Sequence, residues 1–260
     1  MDNVNKTLYI PLYGKAYVSR LGLFLRDEKA EEIWQIEGFA LKGKAKSKWL
    51  AYNMGMRAAV FDRWTEEMLC RHPESIVLHL GCGMDSRCSR VEADCPWYDV
   101  DFPAVIQERR KYFREEAGYR MIPGDLRNKE WLDAVSEGKT AVVIMEGISM
   151  YLTLSELEAL LRNLTGHFER VFLLMDTYTR FAAKATKYKN PINTVGVTEV
   201  FGVDSPEEAA KNTGLRFLRE HDLTPEDMIR ELPRREQHFF RRLFTGKLAK
   251  RIYRLYEYTT

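Results

Sequence analysis

Residues 75–103 read SIVLHLGCGMDSRCSRVEADCPWYDVDFP. A short apolar run, Ile76-Val77-Leu78-His79-Leu80, stops abruptly at Gly81-Cys82-Gly83, and a second, Trp97 to Val100, ends on Asp101. That layout predicts strand, glycine turn, helix, strand and acid. It lets a nucleoside-bearing ligand lie against bare backbone while a carboxylate holds the ribose hydroxyls. Gly-Cys-Gly lacks the third glycine of the dinucleotide fingerprint, so the rest of the chain has to decide the ligand.

Downstream the alternation continues. A helix is expected around Ser86–Val91, and another from Pro103 to Ala117 with proline in its first turn. Tyr119–Ile122 reads as a strand ending at Gly124-Asp125-Leu126, and Lys129–Val135 as a helix. Ala141–Met145 is the strongest strand of the chain. Ser155 with Glu158 reads as the capping box of the next helix, and Val171–Met175 as a fifth strand ending at Asp176. Repeated βα units with uninterrupted apolar strands imply a parallel sheet covered on both faces. Such sheets bind ligands outside the carboxyl ends of their strands. Asp101, Asp125, Glu146 and Asp176 all fall at or just past predicted strand ends, which predicts one site along one sheet edge.

The first seventy residues are mostly helical in pattern. Leu21 to Leu25, Ile33, Trp34 and Ile36 show helical spacing, and Trp49–Leu69 is a long helical stretch stopped by Pro73. Gly38 to Ser47 reads as a basic connector. Past Thr177 the alternation stops. Arg180 to Val200 reads as an insertion on the substrate side, followed by helices from Ser205, Pro225 and Arg234 and strands at Gly214–Leu223 and Ile252–Tyr258. Phe239, Phe240, Phe244, Tyr253 and Tyr256 are expected to face the core, and the basic run Arg234 to Arg254 to be a solvated helix face.

With 260 residues, 45% of them hydrophobic and 30% charged, the composition is that of an ordinary soluble enzyme. A net charge of +2 gives no general attraction to nucleic acid or membrane, and no apolar run approaches the ~20 residues that span a bilayer. Thr7 to Gly14 resembles a weak signal core, but Pro11 interrupts it and no small-residue cleavage site follows. Cys70, Cys82, Cys88 and Cys95 lack metal-binding spacing and read as reduced thiols, so no metal and a cytoplasmic location are expected.

The chain resembles the leucine carboxyl methyltransferase and tetracenomycin-type polyketide O-methyltransferase family. Four patches carry the likeness: Thr7 to Ala16 followed by Leu25-Arg26-Asp27; Arg57 with Phe61-Asp62; Leu80 to Arg87 with Val100-Asp101-Phe102-Pro103; and Glu146-Gly147-Ile148 with Tyr151-Leu152. It departs from the family at Cys82, Ser86 and Asp99, where alanine, threonine and glutamate are common. The resemblance implies a Rossmann-like class I methyltransferase fold: an α/β domain over residues 1–260 with a seven-stranded, mostly parallel sheet and a terminal antiparallel strand. Residues 1–70 would form a helical cap, 71–178 the cofactor-binding core, and 179–260 the substrate-side insertion and last strands.

It also implies S-adenosylmethionine (SAM) as cofactor, with S-adenosylhomocysteine as product. Lys15 and Arg57 would pair with the methionine carboxylate, Gly81, Cys82 and Gly83 form the turn, and Asp101, beside Phe102, hold the ribose. Asp125 and Leu126 would flank the adenine, Glu146 face the ammonium or sulfonium, and Tyr151 and Tyr178 line the acceptor pocket. Asp62 reads as ordering Arg57 or capping local structure, and Asp125 doubles as a candidate helix cap. The expected acceptor is a hydroxyl or carboxyl oxygen of a small molecule; a protein carboxyl terminus is a lesser candidate. No residue is assignable as a general base, since His79 lies inside a strand and His167, His221 and His238 fall outside the matched patches. Two other readings stay open. One is a SAM sensor without turnover. The other is an NAD-linked oxidoreductase, which would need a fuller glycine fingerprint and a hydride-handling residue.

Overall fold

The computed structural model describes residues 8–37, 46–136, 139–185 and 199–260. The expected connector at Gly38 to Ser47 falls mostly outside them, and the insertion at Arg180 to Val200 in large part. Seven strands, β1 (Ile76–Leu80), β2 (Trp97–Asp101), β3 (Tyr119–Pro123), β4 (Thr140–Met145), β5 (Arg170–Tyr178), β6 (Arg216–His221) and β7 (Tyr253–Thr259), form one sheet in the order β3-β2-β1-β4-β5-β7-β6. The first five are parallel, and β7 runs antiparallel between β5 and β6. Strand order reverses between β1 and β4, which puts the ligand-binding crevice at their carboxyl ends.

Side chains on a strand alternate between faces, so each strand serves two cores. Ile76, Leu78, Leu80, Val143, Met145, Leu173 and Met175 pack under α6 (Leu154–His167) with Leu157, Leu160, Leu161 and Leu164. Val77, Val142, Ile144 and Leu174 point the other way. They meet Met56, Val60 and Trp64 of α3 (Lys48–Arg71), Met228 of α9 (Glu226–Glu231) and Phe240 of α10 (Arg234–Phe244). Both faces are dry, which is why these strands read as unbroken apolar runs. Short helices fill in the rest: α4 (Arg87–Arg90), α5 (Pro103–Arg109), α7 (Arg180–Ala185), α8 (Pro206–Ala210) and α11 (Gly246–Lys250). Among the described residues no helix is long and apolar enough to cross a membrane.

The amino-terminal cap is α1 (Tyr9–Arg20), α2 (Glu28–Glu37) and α3. The broken apolar start is a helix: Pro11 sits in its first turn, where the missing N–H costs no intrahelical bond. Helix α1 packs closely on α3 because Gly55 has no side chain; a Cβ there would lie 2.6 Å from Val18 Cγ2.

Several expectations are corrected. Leu21 to Leu25 lie between helices. The helix expected to Ala117 stops at Arg109, and the one at Ser86–Val91 is a single turn. Lys129–Val135 holds a 3-10 turn at Glu130–Ala134. Thr153 with Glu156, not Ser155 with Glu158, makes the capping box of α6. Strand β5 runs past Asp176 to Tyr178, and the helix from Arg234 breaks at Thr245. Phe239 is 44% exposed, whereas Phe240 and Tyr256 are buried as expected.

Candidate active site

A cavity of about 850 Å³ runs across the carboxyl edge of the sheet. Lys15, Arg57, Gly81, Cys82, Gly83, Asp101, Phe102, Asp125, Leu126, Glu146, Tyr151 and Tyr178, scattered over more than 160 residues of sequence, all line it. One half lies over β1 to β3, between the glycine turn and Gly124–Arg127. The other is walled by Leu50 and Met54 of α3, Tyr178, Leu223, Ile229, Phe244, Ile252 and Tyr253, with Glu220, His221, Asp222, Glu226, Arg241, Lys250 and Arg254 also lining it.

The glycine turn has the backbone its sequence requires. Gly81 has φ of +65°, and a Cβ there would lie 2.1 Å from Ile148 Cγ2. Any side chain at Gly81 would therefore be strained and blocked. Asp101, at the end of β2, ties the turn to its neighbour loop: its carboxylate accepts from the Gly83 N–H at 2.8 Å and the Phe102 N–H at 2.7 Å. Burial raises the Asp101 pKa, and these two N–H groups only partly offset it. Arg109, which the motifs did not single out, holds the turn from below by donating to the carbonyls of Gly83 (3.1 Å) and Asp85 (2.6 Å).

Beneath the turn lies a buried ionic network. Glu146 receives Arg57 at 3.0 Å and Arg87 at 2.5 Å; Arg57 also reaches Asp176 at 3.2 Å and the Tyr253 hydroxyl at 2.7 Å. Asp85 takes Lys15 (2.9 Å), Arg90 (3.0 Å) and Arg87 (3.2 Å). Asp62 pairs with Arg87 (2.6 Å) and Arg90 (2.8 Å), so it does not order Arg57 directly. Arg90 reaches Asp27 at 2.5 Å, pinning the cap, and Arg109 pairs with Asp99. These are five cations, Lys15, Arg57, Arg87, Arg90 and Arg109, against seven carboxyl groups, Asp27, Asp62, Asp85, Asp99, Asp101, Glu146 and Asp176. The imbalance favours a ligand that brings positive charge.

Asp125 is half-buried and accepts from the Arg127 N–H at 3.0 Å and from the Arg127 guanidinium, which lowers its pKa. It caps no helix; the chain turns instead. His79 is buried, with Nδ1 3.2 Å from Asp99 and Nε2 3.4 Å from an Arg87 nitrogen. Asp85, Arg87, Arg90, Arg109 and Tyr253 were among the residues sequence reasoning missed. The one available signal was the charged Asp85-Ser86-Arg87 directly after a glycine turn, where buried charge demands partners.

This network makes the fold acid-sensitive. Burial alone would raise the pKa of Glu146, but Arg57 and Arg87 overcome it and bring it from 4.5 to about 2. Burial is likewise outweighed at Asp99 by Arg109 and His79, and at Glu257 by hydrogen bonds from His221 and Arg219, leaving both at about 2. Depressed carboxylate pKa values stabilise the fold above their unfolded values and lose that stabilisation as pH falls through the folded ones. Asp101 and Asp176 are shifted upward and oppose this in part. The melting temperature should hold between pH 7 and 5 and fall steeply from about pH 4.5 toward 2. A flat profile down to pH 3 would refute the network's contribution.

Comparison with known proteins gives one consistent picture. The sequence model described as leucine carboxyl methyltransferase matches residues 14–165. The tetracenomycin polyketide synthesis O-methyltransferase TcmP of Streptomyces glaucescens is 34% identical over 164 residues, covering 62% of this chain and 61% of that protein. The S-adenosyl-L-methionine-dependent methyltransferase dpfgK of Gibberella zeae is 29% identical over 193 residues, covering 67% and 64%. The match thus spans less than two thirds of either relative's length. Among solved structures, a Thermobifida fusca YX protein put forward as a methyltransferase superposes with a TM-score of 0.59 at 14% identity, over 94% of this chain and 93% of the other. Magnesium protoporphyrin IX methyltransferase from Synechocystis PCC 6803, with bound SAH, gives 0.51 at 12% identity, over 94% and 96%. The expected class I methyltransferase fold is what the chain adopts.

Proposed function

The chain belongs to the leucine carboxyl methyltransferase family, and we propose that it is a SAM-dependent O-methyltransferase acting on a hydroxyl or carboxyl oxygen of a small, polyketide-like molecule. The observation that carries this reading is the convergence of every expected site residue on one cavity whose floor holds more acid than base. The relative TcmP, named for O-methylation in polyketide synthesis, supports the choice of acceptor. We take residues 1–260 as one domain working in the cytoplasm, a setting that suits four free thiols.

When bound, SAM supplies a methyl group activated on a sulfonium. The residues present fit it. Lys15 and Arg57 reach the cavity as cations for its carboxylate, each with N–H donors beyond those spent on Asp85 and Glu146. Asp101 holds the ribose diol next to Phe102, Asp125 and Leu126 flank the adenine, and Glu146 balances positive charge. Gly81 and Gly83 leave the backbone bare for close approach, and Cys82, buried with its thiol pKa pushed up by burial, is a packing group. Tyr151 and Tyr178 line the cavity where the acceptor would be oriented; positioning of this kind supplies much of the rate in a displacement at carbon.

Incubation with methyl-labelled SAM and extracts of its own cells tests the reading. Label should appear in small, organic-extractable molecules. Label in protein would move the acceptor to a protein carboxyl terminus, and tight SAM binding with no labelled product across many extracts would replace the enzyme by a sensor.

A further inference from the structure

We propose that Tyr253 and Asp176 form a proton relay at the junction of the cavity's two halves, and that the oxygen methylated is therefore a hydroxyl rather than a carboxylate. This rests on the methyltransferase reading above. Tyr253 opens β7 directly beside Tyr178 of β5, and its side chain lines the cavity. Its hydroxyl donates to Asp176 Oδ2 at 2.5 Å and accepts from Arg57 at 2.7 Å. Asp176 is fully buried, and its other oxygen accepts from the Gly147 N–H at 2.7 Å. It meets the cavity through residues that line it, Tyr253, Arg57 and Gly147.

The charged and titratable groups around this pair come from three elements: Arg57 from α3, Glu146 just past the end of β4 and Tyr178 from β5. Arg57 is shared by Glu146 and Asp176, and because Glu146 also takes Arg87, Asp176 is left with a shared cation alone among the described residues. Methyl transfer removes the sulfonium charge. A carboxylate acceptor would add a negative charge beside Asp176 before transfer. A hydroxyl acceptor adds none, and its proton restores the balance afterwards. As the acceptor oxygen forms its bond to the methyl carbon, the carbon–sulfur bond breaks with its electron pair left on sulfur. The acceptor's proton passes to the Tyr253 oxygen, and the Tyr253 proton passes to Asp176 Oδ2. Burial raises the Asp176 pKa despite the nearby Arg57, which suits a group that must take up a proton. His221, at the end of the edge strand β6, is held at 2.6 Å by Glu257 of β7 and lies farther from the glycine turn.

The first test needs no acceptor. Titrating the protein calorimetrically with SAM and with S-adenosylhomocysteine, in buffers of different ionisation heat, counts protons taken up on binding. The product should draw in up to about one more proton than SAM, increasingly so from pH 7 to 5, and Asp176→Asn should abolish the difference. No difference, or one that survives Asp176→Asn, overturns the relay. Failure of SAM to bind at all would instead overturn the methyltransferase reading. The second test follows single-turnover methylation of 2-naphthol and 2-naphthoate. Tyr253→Phe should slow transfer to 2-naphthol about 10²–10⁴-fold and make the remaining rate rise with hydroxide, because only ionised acceptor then reacts. A purely structural role would lower the rate equally at every pH. Wild-type preference for 2-naphthoate, or no transfer to 2-naphthol while SAM binds, contradicts the inference.

Discussion

Arg57→Met is expected to lower the unfolding free energy of the unliganded protein by roughly 3–5 kcal/mol, a drop in melting temperature of about 6–20 °C. Arg57 is 5% exposed and bridges Glu146 and Asp176. Methionine fills similar space but leaves Asp176 without its cation and Glu146 with Arg87 alone. Removing one partner of a buried ion pair is costly because the other charge stays desolvated. Burial works against the Arg57 charge, yet Tyr253, Glu146 and Asp176 together push its pKa well above normal, so the cation is firmly held. Adding Asp176→Asn to the methionine variant should recover part of the loss, about 0.5–3 kcal/mol in a double-mutant cycle. Urea denaturation measures both. A loss below about 1 kcal/mol for Arg57→Met would mean that the network is not what holds the floor of the cavity.

Asp101→Ala should weaken SAM binding by about 1–3 kcal/mol, or 5- to 150-fold in Kd. The carboxylate that would grip the ribose also orders the glycine turn through the N–H groups of Gly83 and Phe102. Alanine orphans both donors and removes the charged acceptor. Asp101→Asn keeps an acceptor for the backbone but not the charge, so its loss should fall between wild type and alanine. Equal affinity in all three proteins would take Asp101 out of the site.

The strands were legible because buried parallel strands have to be apolar throughout, and Ile76–Leu80 and Ala141–Met145 end on the glycine and acid that mark the crevice. That these residues would meet at one cavity was legible for a related reason: Gly81, Asp101, Asp125 and Glu146 each sit at or just past a strand end, where position alone points to the carboxyl edge of the sheet. What was hidden depends on pairing across the chain. Thr153-Leu-Ser-Glu156 and Ser155-Glu-Leu-Glu158 overlap as capping boxes, and only the packing of α6 on the sheet selects the first. Asp62 beside Arg57 suggested a pair, but Arg87 and Arg90, brought in by the one-turn helix α4, take it instead. Tyr253 joins Asp176 because β7 inserts between β5 and β6, a topology no local pattern in Ile252–Tyr258 announces.

The account stands most directly on which ligand fills the crevice beside Gly81-Cys82-Gly83. Calorimetric titration of the wild-type protein with SAM and, separately, with NAD decides it. Saturable one-to-one binding of SAM and none of NAD is the predicted result; binding of NAD with no heat from SAM would contradict it.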